Sequence, residues 1–146
     1  MSINHPRLTL TSQCACGAVS ISVNGPAYVM LLCSCEDCQK STGTGHSAVF
    51  FANAGDVSVT GPVKSFTRPA HSGAAFTRHF CPDCGTPLYG KSSRAPRFSM
   101  LPVGLFGAQT EWFAPNQLIF ARSHRDWDVI TEGLPQHAAY REKGSP

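Results

Sequence analysis

The sequence predicts a mostly β, antiparallel single domain with at most short helices. Three observations predict it. The chain has 146 residues, 42% of them apolar, which suits one ordinary core and excludes wholesale disorder. Short runs of alternating or apolar β-formers recur at mostly about 8–15-residue spacing. The 13 glycines and 11 prolines, with no long 3.6-residue period, favour a turn-rich chain over a helical bundle.

The elements follow in order. Val19, Ile21 and Val23 alternate with Ser20, Ser22 and Asn24, the pattern of a strand with one buried face, and Gly25-Pro26 ends it. Tyr28 to Cys33 is a short apolar run. Glu36 to Thr42 is the best helical candidate, stopped by Gly43 and Gly45. His46 to Asn53, Val57 to Thr60, Val63 to Arg68, Ala75 to Cys81, Arg97 to Val103, Leu118 to Arg122 and Trp127 to Ile130 each read as strands. The segment 136–146 is polar and reads as a fraying tail, with Tyr140 as a residue able to dock. The whole of 1–146 reads as one domain, without repeat or linker.

Net charge is +3, too small to imply a nucleic-acid partner. Between Val57 and Thr110 stand Lys64, Arg68, Arg78, Lys91, Arg94 and Arg97 against the single acid Asp83. That is a solvated basic face or a rim that attracts a small anion. The start, Met-Ser-Ile-Asn-His-Pro-Arg, has no apolar signal region. No stretch approaches the roughly 18 uninterrupted apolar residues of a membrane span. The expected setting is the reducing cytoplasm, where clustered thiols persist as thiols or bind metal.

Cysteine carries the functional signal. Cys14, Cys16, Cys33, Cys35, Cys38, Cys81 and Cys84 are odd in number, so they cannot close a disulfide framework. Each has a neighbour two or three positions away, the spacing of metal ligands. Cys81-Pro82-Asp83-Cys84-Gly85 can bring two thiolates to one tetrahedral zinc, with Pro82 presetting the turn and Gly85 free to take a positive φ. Cys14-Ala15-Cys16-Gly17 is its natural partner. In a flat strand the two sulfurs would stand about 6.5–7 Å apart, so chelation needs a bend that Gly17 permits. The four together make a closed site that stabilises the fold rather than performing chemistry. Ordinary buried thiols and a redox C-x-x-C are the alternatives. Cys33, Cys35 and Cys38 remain as a set of three. Catalytic zinc sites keep three protein ligands and one open position, here available to water or a substrate thiol. Two other readings stand beside it: a second structural site completed by His46, Asp37 or another group, and a metal-free triplet that is redox-active or vestigial.

These motifs, in this order, resemble the glutathione-dependent formaldehyde-activating enzyme (GFA) family, which also includes centromere protein V. Cys14-Ala15-Cys16-Gly17-Ala18-Val19 with Gly25-Pro26 resembles the opening motif. Cys33-Ser34-Cys35-Glu36-Asp37-Cys38-Gln39-Lys40 through Gly43 resembles the central one. Phe80-Cys81-Pro82-Asp83-Cys84-Gly85-Thr86-Pro87-Leu88-Tyr89 resembles the third, and Ser123 to Trp127 with Leu134-Pro135 the closing segment. The resemblance implies a GFA-type zinc-binding β fold and two zinc ions per chain: a structural one on Cys14, Cys16, Cys81 and Cys84, and a catalytic one on Cys33, Cys35 and Cys38. It implies carbon–sulfur lyase or synthase chemistry of the S-(hydroxymethyl)glutathione synthase type, with glutathione and formaldehyde as partners; the low net charge and the lack of a long apolar stretch lead us to expect neither nucleic acid nor membrane as a partner. The chain departs from the family at Gln39, where Arg is common. It departs again at Gly104-Leu105-Phe106, where G-x-L-D is common, and at Leu118, where His is common. Lys40, Arg94 and Arg97 are candidates to hold the tripeptide's carboxylates. His46 is a candidate acid/base or fourth ligand, with a core or surface role as the alternative. Trp112 and Trp127 are expected in the core. The rival function is a zinc-stabilised binding module without catalysis.

Overall fold

Period-two alternation becomes strand where one face can be buried, as over Arg7–Gln13 and Ser20–Pro26, and pairing sets the others; ten strands form among the described residues. A computed structural model of the chain describes residues 5–141. The strands are β1 (Arg7–Gln13), β2 (Ser20–Pro26), β3 (Val29–Cys33), β4 (Ser47–Asn53), β5 (Val57–Thr60), β6 (Lys64–Pro69), β7 (Ala75–Phe80), β8 (Pro87–Ser92), β9 (Phe98–Pro102) and β10 (Leu118–Ile119). The helix α1 is Glu36–Thr42, and three short 3-10 turns complete the set. The architecture is mostly β and rich in antiparallel pairing, as the alternation predicts. Among the described residues no helix is long and apolar enough to cross a membrane.

The chain forms two compact units, one running to Val29 and resuming over Phe50–Trp112, the other made of Met30–Val49 and the chain from Phe113. In the first, β1, β2 and β5 form an antiparallel sheet with β2 in the middle. β1 lies against β2 from Arg7↔Pro26 to Gln13↔Ser20. Leu8, Leu10, Ile21 and Val23 face inward and are buried, while Arg7, Thr9 and Thr11 face out. β6, β7, β8 and β9 follow as an antiparallel ladder. Phe50 packs edge-on against Phe106 and Trp112, with ring centroids 5.8 and 4.9 Å away. Trp112 therefore borders the core, as expected.

In the second unit β10 pairs in parallel with β3, Leu118 opposite Leu32 and Ile119 opposite Cys33. The tail closes over β10. The Leu118 N–H donates to Pro135 O at 2.8 Å, the His137 N–H to Leu118 O at 2.9 Å, and the Phe120 N–H to Ala139 O at 2.9 Å. Tyr140 docks edge-on against Phe120 at 4.8 Å. Residues 136–140 are thus tied down, while 142–146 lie outside the described residues. No residue of α1 is buried, and at 7 residues a helix this short does not stand on propensity. Its ends hold it: Cys35 at the N-cap accepts from the Cys38 N–H, and Gly43 at φ 74° sends its N–H back to Gln39 O.

The structure differs from expectation at four places. β1 and β8 are strands that the pattern reading passed over. Leu8 and Leu10 do alternate with Thr9 and Thr11, whereas β8 contains Pro87 and Gly90 and is set by pairing with β7. The strand expected over Leu118 to Arg122 stops at Ile119, because Phe120 takes a left-handed conformation at φ 56° and turns the chain into a 3-10 turn. Trp127 to Ile130 is not a strand, and Trp127 is 66% exposed rather than in the core. The cause is Asp128, which is buried and takes the inward position between its two apolar neighbours.

Candidate metal centres

The first thiol cluster is built from two hairpin tips of like geometry. At the β1–β2 tip the Cys14 N–H donates to Val19 O at 2.9 Å and the Gly17 N–H to Cys14 O at 3.0 Å. At the β7–β8 tip the Cys81 N–H donates to Thr86 O at 3.0 Å and the Gly85 N–H to Cys81 O at 2.9 Å. Gly17 and Gly85 take φ 80° and 78°, a conformation that would strain a side-chain-bearing residue. Both turns are thus made possible by the glycine that follows the second cysteine. The Ala15 N–H donates to Thr86 Oγ1 at 3.0 Å and fastens one tip to the other.

The sulfurs of Cys14, Cys16, Cys81 and Cys84 all lie within 4.8 Å of one another. Cys14 Sγ is 3.6 Å from Cys16 Sγ, and Cys16 Sγ is 3.7 Å from Cys81 Sγ. These separations are too long for disulfides and all seven cysteines are free. They match the edge of about 3.8 Å that four sulfurs make around a tetrahedral zinc at about 2.3 Å. Cys14 and Cys81 are buried among Val19 and Leu88, while Cys16 and Cys84 are exposed.

The electrostatics fit a cation. Burial opposes ionisation of Cys14, and Cys84 adds to that, but the Val19 N–H on its sulfur at 3.3 Å and the Cys16 and Cys81 thiols outweigh both and hold the group below its ordinary value. The Thr86 hydroxyl, followed by the Thr86 and Cys16 N–H groups, lowers Cys84 to about 5. The Ala18 N–H favours the Cys16 thiolate, yet the crowd of sulfurs led by Cys14, with desolvation, pushes it up to about 12. Four sulfurs this close cannot all ionise beside one another without a positive charge among them. A metal ion held among the four sulfurs would supply that charge.

The second cluster joins the end of β3 to the start of α1. Cys33 ends β3, Cys35 caps the helix and Cys38 stands in its first turn. Their sulfurs also lie within 4.8 Å of one another. Cys33 is buried, and Cys35 and Cys38 are half-buried. The Leu32 N–H donates to Gln117 O and the Ser34 N–H to Ile119 O, at 3.0 and 3.1 Å. The ladder to β10 therefore fixes the strand that delivers Cys33. Neighbouring thiols, Cys35 first, push Cys33 far above the thiol range. Cys38 is drawn down by Cys33, but Cys35 and desolvation prevail and push it up to about 11. Ser34 Oγ, wholly buried between two of the ligands in sequence, finds no hydrogen-bond partner among the described residues.

His46 and Asp37 do not belong to this cluster. His46 Nδ1 instead meets Asp128 Oδ2 at 2.7 Å, and His124 Nε2 meets Asp128 O at 2.8 Å. Lys40 on α1, and Arg94 and Arg97 in the first unit, are exposed. Arg97 lies over the Phe98 ring at 4.4 Å. The polar contacts around α1 come from elsewhere. Gln39 Nε2 donates to Ser34 O at 2.7 Å and to Ser123 O at 3.0 Å, and Arg125 Nε donates to Gln39 Oε1 at 3.1 Å. Sequence reasoning missed Arg125 and Asp128. The signal for Asp128 was a lone acid between Trp127 and Val129; nothing local marked Arg125. A shallow concavity of about 370 Å³, lined by Thr11, Ser12, Ser20, Ser22, Ser58 and Thr60 among others, holds none of the seven cysteines.

Residues 9–123 match the family model described as glutathione-dependent formaldehyde-activating enzyme. Among solved structures the chain is similar to the crystal structure of a Rhodobacter sphaeroides protein determined as a structural-genomics target. The TM-score is 0.53 and the identity 18%, over 68% of this chain and 89% of that one. That likeness bears on the fold alone.

Proposed function

The chain belongs to the glutathione-dependent formaldehyde-activating enzyme family, and from that premise we propose that it is a carbon–sulfur lyase or synthase acting on a glutathione–aldehyde adduct of the S-hydroxymethylglutathione kind. In one direction a sulfur–carbon bond forms as the thiol adds to the aldehyde carbon, and the thiol proton ends on the carbonyl oxygen. In the other, that bond breaks and the proton returns. Cys33, Cys35 and Cys38 would hold a catalytic zinc, and Cys14, Cys16, Cys81 and Cys84 a structural one. Residues 1–146 act as one domain in this reading, and the reducing cytoplasm suits seven free thiols.

The observation that carries the reading is the contrast between the two clusters. One brings four sulfurs together, the number a closed tetrahedral site needs; the other brings three, the number with which catalytic zinc sites keep one position open. When bound in the three-sulfur site, zinc acts as a Lewis acid that favours the thiolate of a substrate thiol. The protein's own part is positional. Cys33 anchors the cluster from the buried end of β3, while half-buried Cys35 and Cys38 give it its solvent side. The Cys35 cap and the two Gln39 bonds hold the loop rigid.

The test is turnover of S-hydroxymethylglutathione by the zinc-loaded chain, followed by Cys35→Ser. The variant is expected to lose activity by about 100-fold or more while keeping its fold. Cys84→Ser is expected to unfold the first unit instead. Wild-type rates in Cys35→Ser would overturn the mechanism. So would one zinc per chain after expression with zinc supplied.

A further inference from the structure

We infer that Arg125, set in place by Gln39, is the carboxylate anchor of the thiol substrate, an inference that rests on the thiol-substrate reading above. The site therefore selects a small peptide-like thiol carrying a carboxylate over a neutral thiol.

The argument begins with the Gln39 amide. Its Nε2 reaches two backbone carbonyls from separate segments, Ser34 O at 2.7 Å and Ser123 O at 3.0 Å. Only the NH2 end can donate to two carbonyls, so these partners fix which end points where. Oε1 is left aimed at Arg125 Nε, 3.1 Å away. The guanidinium is thereby oriented by its inner edge. Its outer edge is committed to little: Nη2 is 3.8 Å from Glu36 Oε1. Both side chains are largely exposed, at 46% and 72%, and such a pair contributes next to nothing. A half-exposed guanidinium with a fixed plane and uncommitted Nη donors suits bidentate capture of a carboxylate.

Its place matters as much as its charge. Gln39 connects the guanidinium through one amide to the Ser34 carbonyl, which lies between Cys33 and Cys35 in the chain. The cation is thus two hydrogen bonds from the loop that carries the sulfurs. A cluster of thiolates repels an anionic substrate unless a fixed cation stands beside it. In this chain Gln39 and Arg125 work as a pair, one positioning and one binding.

The experiment titrates the zinc-loaded full chain with S-methylglutathione, which keeps both carboxylates and has no free thiol. The diethyl ester of that probe is titrated beside it. Wild type is expected to prefer the diacid. Arg125→Gln is expected to bind the diacid roughly 10–100-fold more weakly and to lose the preference over the ester. Gln39→Ala keeps the charge without its support and is expected to fall between the two. Circular dichroism and Tm confirm that the exposed substitution leaves the fold intact. The inference is overturned if Arg125→Gln binds the diacid as wild type does, if it keeps the wild-type preference, or if wild type binds neither probe. Turnover of S-hydroxymethylglutathione is measured separately. A chain without turnover that still selects the diacid through Arg125 would sink the proposed activity and leave this inference standing.

Discussion

Asp128 is buried while Trp127 and Val129 beside it are 66% and 90% exposed, an inversion of the usual partition between acids and apolar residues. A buried carboxylate persists only when it is paired and hydrogen-bonded. Here His46 Nδ1 meets it at 2.7 Å, with His124 Nε2 3.6 Å away. Gly45 makes the approach possible, since a Cβ there would stand 2.3 Å from Asp128 Cγ. Asp128→Ala is expected to cost about 1–3 kcal/mol, read from urea unfolding, because it leaves a half-buried imidazole without its partner. The thiols offer a second residue-scale prediction. In chelated protein Cys84, exposed and lowered to about 5, carries thiolate at neutral pH. It loses thiolate as pH falls through about 5. Cys16, pushed up to about 12, gains thiolate only as pH rises into the alkaline range. Iodoacetamide labelling followed by mass spectrometry should therefore mark Cys84 first at pH 7 and leave buried Cys33 unmarked. Labelling of Cys16 ahead of Cys84 would contradict this electrostatic account.

At the scale of elements, the first cluster depends on two hairpin tips keeping their shape, and Gly61 guards one of them. It follows β5 at φ 121°, and a Cβ there would meet Ala18 O at 2.3 Å and Val19 Cα at 3.0 Å. Ala18 and Val19 belong to the tip that carries Cys14 and Cys16. The obstacle is backbone, so it cannot swing aside. Gly61→Ala is expected to cost roughly 2 kcal/mol or more and to speed zinc loss to a colorimetric chelator. An unchanged release rate would show that the tip tolerates displacement. The helix α1 depends on a different device. With no buried face, it is held by the Cys35 cap, Gly43 and the Gln39 amide. Its boundaries were legible in the sequence because caps and glycines are local signals.

For the molecule as a whole, each compact unit contains one of the two thiol clusters. Chelator treatment is therefore expected to release two metal ions per chain. The loss from the four-sulfur site should lower Tm by more than about 10 °C, because that site joins β1–β2 to β7–β8. Cys35→Ser, which leaves the four-sulfur site whole, should shift Tm by only a few degrees and lower the metal content by one. Equal Tm losses from both treatments would mean that the three-sulfur site is structural as well.

Read by itself, the sequence determined what depends on near neighbours. Spacing alone grouped the seven cysteines, glycine placed the turns, and alternation located β2, β5 and the buried face of each. The family followed from those motifs in order. The tertiary structure decided what depends on distant partners. His46 and Asp128 are 82 positions apart, and Gln39 and Arg125 are 86 apart. No local pattern reports a contact of that span. The exposure of Trp127, the burial of Asp128 and the fixing of Arg125 beside the three-sulfur loop all follow from such contacts, because a side chain's environment is set by the segments that fold against it.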